Sequence, residues 1–96
     1  MLMRYIDVQW HHDFEDEPIR LVSEIGSDEF ETRKLEFFPD GTVGYAYEDI
    51  ECINTRLGID VVPSLEEINS EQEFEGVSIS KNDFEQLWAK YVPGCT

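Results

Sequence analysis

The sequence predicts a single α+β domain: an antiparallel sheet of about four to five strands with a short helix and a C-terminal helix packed on one face. Three observations predict this class. Apolar and polar residues alternate through the first half, a Pro-Asp-Gly turn lies at 39–41, and an apolar stripe of helical spacing appears only near the C-terminus. The 96 residues suffice for one hydrophobic core, so we expect one domain over 1–96 with a frayed tail at about 92–96.

The first hairpin is predicted from period-2 alternation. Ile6, Val8 and Trp10 alternate with polar residues, which is typical of a half-buried strand. The same pattern returns at 19–25, after the acidic loop 13–18. Two antiparallel strands joined by this loop are therefore expected.

The second hairpin is marked by its turn. In 38–41 proline presets the turn and Gly41 takes the left-handed position, so the strand ending near Phe37 returns through Val43, Tyr45 and Tyr47. We expect the two tyrosines to face the core. Residues 49–58 lose the alternation and are predicted to be an irregular crossing with room for one short strand.

Helix signals begin at residue 64. Ser64-Leu65-Glu66-Glu67 is a capping box that opens a helix of about two turns, and 75–80 favours a short strand. Ser80 caps the C-terminal helix, whose apolar stripe is formed by Phe84, Leu87, Trp88 and Tyr91. This stripe is expected to lie on the sheet, where Trp88 would meet Trp10 across the two layers.

Charge is the most unusual property of the chain. Twenty-two acidic residues against seven Lys and Arg give a formal net charge of −15. Such an imbalance favours solubility or a partner of opposite sign, and it disfavours binding to nucleic acid or anionic membranes. The acids alternate with core-forming residues along the chain, so they belong to a surface and not to a disordered tail.

The location and the cysteines are linked. Residues 1–7 do not resemble a secretory signal and no apolar run could span a bilayer, so we expect a cytoplasmic protein. Cys52 and Cys95 could form a disulfide, but in a cytosolic chain two free thiols are expected.

Enzyme signatures are missing from the sequence. It has no nucleophile-elbow serine motif, no glycine-rich phosphate loop and no metal-binding motif of defined spacing. The cluster His11-His12-Asp13 is the one candidate for a metal site, yet neighbouring strand residues point to opposite faces. We therefore expect no enzyme, no metal and no cofactor, and keep a small metal-dependent enzyme or metal-binding domain that uses this cluster as the alternative.

Two groups of acids lie where no core pattern requires them, and we predict that they bind the partner. Together they could form one anionic rim, composed of Asp13, Glu15, Asp16 and Glu17 with Glu48, Asp49 and Glu51. The expected function is an immunity- or antitoxin-like inhibitor that neutralises a basic protein, most plausibly a nuclease toxin. A second alternative is an adaptor that contributes a sheet edge to a complex.

The chain also resembles a family of small bacterial proteins catalogued as a domain of unknown function. The resemblance spans nearly the whole chain and is carried by RYIDVQW at 4–10, HD at 12–13, DEP at 16–18, SEI at 23–25, PSLEEIN at 63–69 and FEQLW at 84–88. It implies a shared fold but no activity, cofactor or catalytic residue, and the tail 92–96 has no counterpart in it.

Overall fold

The computed structural model describes residues 2–53 and 55–92 and contains one six-stranded antiparallel sheet with two helices against it. The α+β class is confirmed, with more strands than the four to five expected, in the order β5-β4-β3-β2-β1-β6. The elements are β1 Arg4–Trp10, β2 Arg20–Ile25, β3 Glu31–Phe37, β4 Val43–Tyr47, β5 Ile50–Cys52, α1 Leu65–Asn69, β6 Phe74–Ser78 and α2 Lys81–Tyr91.

The two helices pack on opposite faces of the sheet. Tyr5 packs against Phe84 of α2, with ring centroids 5.2 Å apart, whereas its neighbour Ile6 belongs to the cluster that includes Leu65 and Ile68 of α1. Adjacent strand residues leave opposite faces, so β1 contributes to two cores. The prediction of both helices on one face is therefore wrong, as is the predicted contact between Trp10 and Trp88.

The predicted stripe of α2 does cover one face. Phe84 is fully buried, and Leu87, Trp88 and Tyr91 pack around it. Tyr45 and Tyr47 lie beneath the helix with their ring centroids 6.1 and 5.4 Å from that of Trp88, which confirms their assignment to the core. Ser80 caps the helix by accepting a hydrogen bond from the Asp83 amide at 3.0 Å.

Arg33 joins α2 to the sheet in what we call the Arg33 bridge. Its guanidinium contacts Glu24 on β2 at 2.6 Å and Glu85 on α2 at 2.9 Å, and it lies 4.8 Å from the Phe84 ring centroid. Glu24 is only 7% exposed. The hydrogen bonds from Arg33 lower the pKa of Glu24 to about 2 despite its burial.

The other face is crossed by residues 55–63, which we call the strap. The Lys34 ammonium donates to the Arg56 carbonyl at 3.0 Å, and the Gly58 amide donates to the Glu31 carboxylate at 2.7 Å. Gly44 allows the strap to approach, because a Cβ there would overlap the Thr55 hydroxyl oxygen. α1 follows the strap and is five residues long, shorter than the two turns expected.

The bonding of Cys52 differs from the expectation. Cys52 is buried and its sulfur is disulfide-bonded, so the prediction of two free thiols is wrong for Cys52. Cys95 and the predicted frayed tail beyond Val92 lie outside the described residues. Within 2–53 and 55–92, neither helix is long and apolar enough to cross a membrane.

We predict that Phe84→Ala lowers the free energy of unfolding by about 3–5 kcal/mol, because it leaves a cavity at the centre of the α2 core. Ser80→Ala, which removes only the cap, should lower it by about 1 kcal/mol. Urea denaturation measures both values. An unchanged midpoint for Phe84→Ala would show that α2 does not cover the core as described.

A second prediction concerns acid stability. The folded pKa of Glu24, about 2, lies below its ordinary value, so its contribution is complete above about pH 5 and is lost as the pH falls toward 2. A shift of this size is worth about 3 kcal/mol. Urea titrations from pH 6 to pH 2 should show a shallower loss of stability in Glu24→Gln than in the wild type. Equal pH dependence in the two proteins would contradict the Arg33 bridge.

Candidate partner-binding groove

The sheet face that carries α1 is only partly covered, and a groove runs between the strap, α1 and the loop after β1. It consists of two adjoining depressions that share Leu21 of β2, one of about 590 Å³ and one of about 400 Å³. We call the larger the acidic mouth and the smaller the apolar pocket.

The acidic mouth combines carboxylates from three parts of the chain. The loop after β1, the strand β3 and the β3–β4 turn supply Glu15, Asp16, Glu17, Glu36 and Asp40. Arg56 is the one cation in the described lining, and its guanidinium points toward Glu51, 3.9 Å away. The mouth therefore holds a strong excess of negative charge.

Glu36 lies in the wall of the mouth and is the most enclosed of these acids. Burial raises the pKa of its carboxyl, against the attraction of Lys34. The Lys34 ammonium is 3.9 Å from Glu36 but 3.1 Å from Glu31, so it pairs mainly with Glu31. An additional cation near Glu36 would thus stabilise a partly buried negative charge.

The apolar pocket is lined by the second core cluster. Ile6 and Val8 of β1 form its base, and Val62, Ile68 and Phe74 form its sides. Its border again carries acids, namely Glu31, Glu67 and Glu71. An apolar depression bordered by carboxylates adjoins the acidic mouth at Leu21.

The loop that forms one side of the mouth is organised by His12. Its Nδ1 accepts a hydrogen bond from the Phe14 amide at 2.9 Å, and its Nε2 lies 2.8 Å from the Pro18 carbonyl oxygen. The ring also packs against Trp10, with centroids 4.4 Å apart. His12 thus fixes the loop that carries Glu15, Asp16 and Glu17.

These contacts bear on the metal-binding alternative. Both nitrogens of His12 are engaged within the loop, and His11 turns the other way, toward Glu75 on β6 at 3.3 Å. Over 2–53 and 55–92 there is no group of three His, Cys, Asp or Glu side chains arranged to hold a metal ion. No observation in this part of the chain favours the His11-His12-Asp13 cluster as a metal centre.

The two predicted acidic groups do not form one rim. Consecutive hairpins turn at alternate ends of a sheet, so the loop 11–18 between β1 and β2 and the turn 48–49 between β4 and β5 lie at opposite ends. The structure brings Glu15, Asp16 and Glu17 together with Glu36 and Asp40, and leaves Glu48 and Asp49 apart. Asp13 lies in the same loop as Glu15, Asp16 and Glu17. Glu51 lies 3.9 Å from Arg56, which lines the mouth.

Sequence reasoning missed Glu36, Asp40 and the apolar pocket. Glu36 alternates with Leu35 and Phe37 on β3, which is the pattern of a solvent-facing strand residue, and Asp40 lies in the Pro-Asp-Gly turn. The one local signal was Leu21, an apolar residue on the sheet face opposite to its strand neighbour Val22. That arrangement indicates burial on both faces.

The β6 edge of the sheet bears on the adaptor alternative, in which an edge strand pairs with another protein. On the outer side of β6, the Asn69 side chain accepts from the Gly76 amide at 2.6 Å and donates to the Gly76 carbonyl at 3.0 Å. The Phe74 amide donates to the Glu71 carbonyl at 3.1 Å. α1 and the residues that follow it thus occupy backbone groups that an added strand would need.

Comparison with known proteins agrees with the resemblance inferred from the sequence. A family model described as "Domain of unknown function (DUF6881)" matches residues 4–93. The chain belongs to this family. No curated protein matches it. No solved structure matches it either.

We predict that His12→Ala releases the loop 11–18 without unfolding the domain. The Phe14 amide loses its acceptor, so its hydrogen exchange should become about five- to tenfold faster, as expected for a bond worth about 1 kcal/mol. His11→Ala is the matched control, since its contact with Glu75 lies outside the loop. The same exchange rate at Phe14 in the wild type and in His12→Ala would contradict this role.

Proposed function

We propose that this protein is an acidic binding module that neutralises a basic protein partner by direct contact, in the manner of an immunity protein or antitoxin. The acidic mouth is the observation that carries the proposal: it gathers five carboxylates around a groove with a single guanidinium in its described lining. A net charge of −15 supplies a long-range field of the same sign.

A nuclease toxin is the partner class that fits this chemistry best. A nuclease presents Lys and Arg to the phosphates of its substrate, and an acidic inhibitor can occupy or border that basic groove. Electrostatic fields of opposite sign on the two proteins raise the association rate constant, to about 10⁸–10⁹ M⁻¹s⁻¹ at low salt. Fast capture suits an inhibitor that must act before the nuclease reaches nucleic acid.

The direct test pairs the chain with the products of the reading frames that adjoin its gene. Co-expression should protect cells from an adjoining nuclease, and the purified chain should inhibit that nuclease stoichiometrically. The matched control is an unrelated acidic protein of similar size and charge. Failure of the chain to protect cells or to bind any adjoining product at low salt would overturn the proposal.

We predict that reversal of charge at the acidic mouth slows capture of the partner. Asp16→Lys with Glu17→Lys should lower the association rate constant and flatten its salt dependence, with less effect on dissociation, because peripheral charges act mainly on encounter. Stopped-flow fluorescence at several salt concentrations measures this. Glu48→Lys with Asp49→Lys carries the same charge change at the other end of the sheet and isolates the contribution of the mouth.

We further predict that the chain alone binds neither duplex nor single-stranded nucleic acid at physiological salt. Its field repels phosphate, and its seven Lys and Arg are too few to reverse it. A mobility-shift assay with labelled RNA and DNA measures this. Retention of either probe at micromolar protein would contradict an inhibitor that acts by charge complementarity with a nuclease.

A further inference from the structure

The groove contains two adjoining compartments of different chemistry, and together they indicate what kind of ligand it binds. The acidic mouth has carboxylates on its sides, and the apolar pocket exposes aliphatic and aromatic side chains of the second core. Leu21 lies in the lining of both. A ligand that fills the groove therefore meets negative charge and apolar surface within a short distance.

We propose that the groove binds an extended basic segment of the partner, with an Arg or Lys side chain in the acidic mouth and an apolar side chain in the apolar pocket. This inference rests on the proposed function and specifies which part of the surface performs it. It also separates the two acidic groups, assigning binding to Glu15, Asp16 and Glu17 and not to Glu48 and Asp49.

Charge complementarity indicates that the ligand side chain in the acidic mouth is a cation. Among the described residues, none of Glu15, Asp16, Glu17 and Asp40 forms an ion pair. Of the cations near the groove, Lys34 pairs with Glu31 at 3.1 Å, and the exposed Arg56 lies 3.9 Å from Glu51. The mouth therefore attracts a cation that the chain itself does not supply. An arginine suits it well, since a guanidinium can bridge two carboxylates.

The apolar pocket indicates that the second ligand side chain is apolar. On the α2 face Phe84 and Trp88 pack on the sheet, and the depression that remains beside α2 is bordered by charged residues such as Asp7, Arg20 and Lys90. On this face the five-residue α1 and the strap leave a depression of about 400 Å³ that is lined mainly by apolar side chains. Its sides include Val62, Ile68 and Phe74, which are only partly buried. An apolar side chain placed there would be removed from water, which favours binding in proportion to the apolar area buried.

The adjoining compartments also suit two ligand side chains that are close together in sequence. Side chains two residues apart in an extended segment point to the same side, about 6.6 Å apart along the chain. Because the compartments adjoin at Leu21, we take a cation and an apolar residue at i and i+2 as the pair that occupies both. The peptide pattern to test is thus Arg-x-Leu or its reverse.

The test uses three labelled peptides and needs no knowledge of the natural partner. The first is acetyl-Gly-Arg-Ser-Leu-Ser-Arg-Gly-amide, the second replaces its Leu by Ser at unchanged charge, and the third replaces both Arg by Glu. Nitrogen-15 NMR offers an internal control, because the Trp10 indole lines the mouth while Trp88 packs under α2 on the opposite face. We expect the first peptide to shift the Trp10 indole resonance and to leave that of Trp88 unchanged.

Affinities from the same titrations test each half of the ligand. The first peptide should bind about tenfold more tightly than its Ser variant, and the Glu peptide should not bind. Equal affinities of the first two peptides would overturn the role of the apolar pocket. Shifts centred on residues 47–50 or on α2 would overturn the groove as the binding surface.

Two protein variants of equal charge complete the test. Glu17→Gln with Asp40→Asn should weaken binding of the first peptide about three- to tenfold, as expected for two peripheral ion pairs. Glu48→Gln with Asp49→Asn should leave it unchanged, and both variants change exposed residues only. Equal losses in the two variants would show non-specific attraction and overturn the inference.

The same variants distinguish failure of this inference from failure of the proposed function. If an adjoining nuclease is inhibited equally by the wild type and by Glu17→Gln with Asp40→Asn, the chain is an inhibitor that docks elsewhere. If no adjoining product is bound while the peptides bind as expected, the groove stands and the immunity-like function falls.

Discussion

The strands β1 and β2 are buried on both faces, and the positions of the other elements follow from this constraint. Tyr5 and Val22 belong to the core under α2, while Ile6, Val8 and Ile25 form a second core on the other side. A sheet with two apolar faces must be covered twice. α2 packs over the core of one face and leaves a depression beside Asp7 and Arg20. The other face receives only the strap and the short α1, and the groove is the surface that these leave open.

The few cations of the chain are used to hold this arrangement together. Arg33 joins β2 to α2, Arg20 pairs with Asp7 across β1 and β2 at 2.7 Å, and Arg4 pairs with Glu29 at 3.0 Å. Lys34 supports the strap through Glu31 and the Arg56 carbonyl. Because these four of the seven Lys and Arg are used in internal contacts, few cations remain to offset the surface acids. The negative electrostatic field around the protein is thus linked to the use of these cations inside the fold.

The sequence predicted the elements better than their arrangement. Local signals located the strands, the two serine caps and the stripe of α2, since these depend on residues close together in the chain. The two-sided burial was missed because Glu24, next to the last residue of β2, has the charge of a solvent-facing residue. It is buried only because Arg33, nine positions later, supplies its counter-charge. The groove was missed for a similar reason, since the strap that borders it crosses the sheet through non-local contacts such as that of Gly58 with Glu31.

An open apolar depression on a small protein would ordinarily invite self-association. Here the carboxylates around it oppose that outcome, because two copies that met face to face would bring Glu67, Glu71 and the acidic mouth of each against those of the other. Like charges at close range cost several kcal/mol, which disfavours such pairs. The same carboxylates would attract the cationic segment that we propose as the ligand. One feature therefore opposes pairing of the groove with its own copy and favours an occupant of opposite charge.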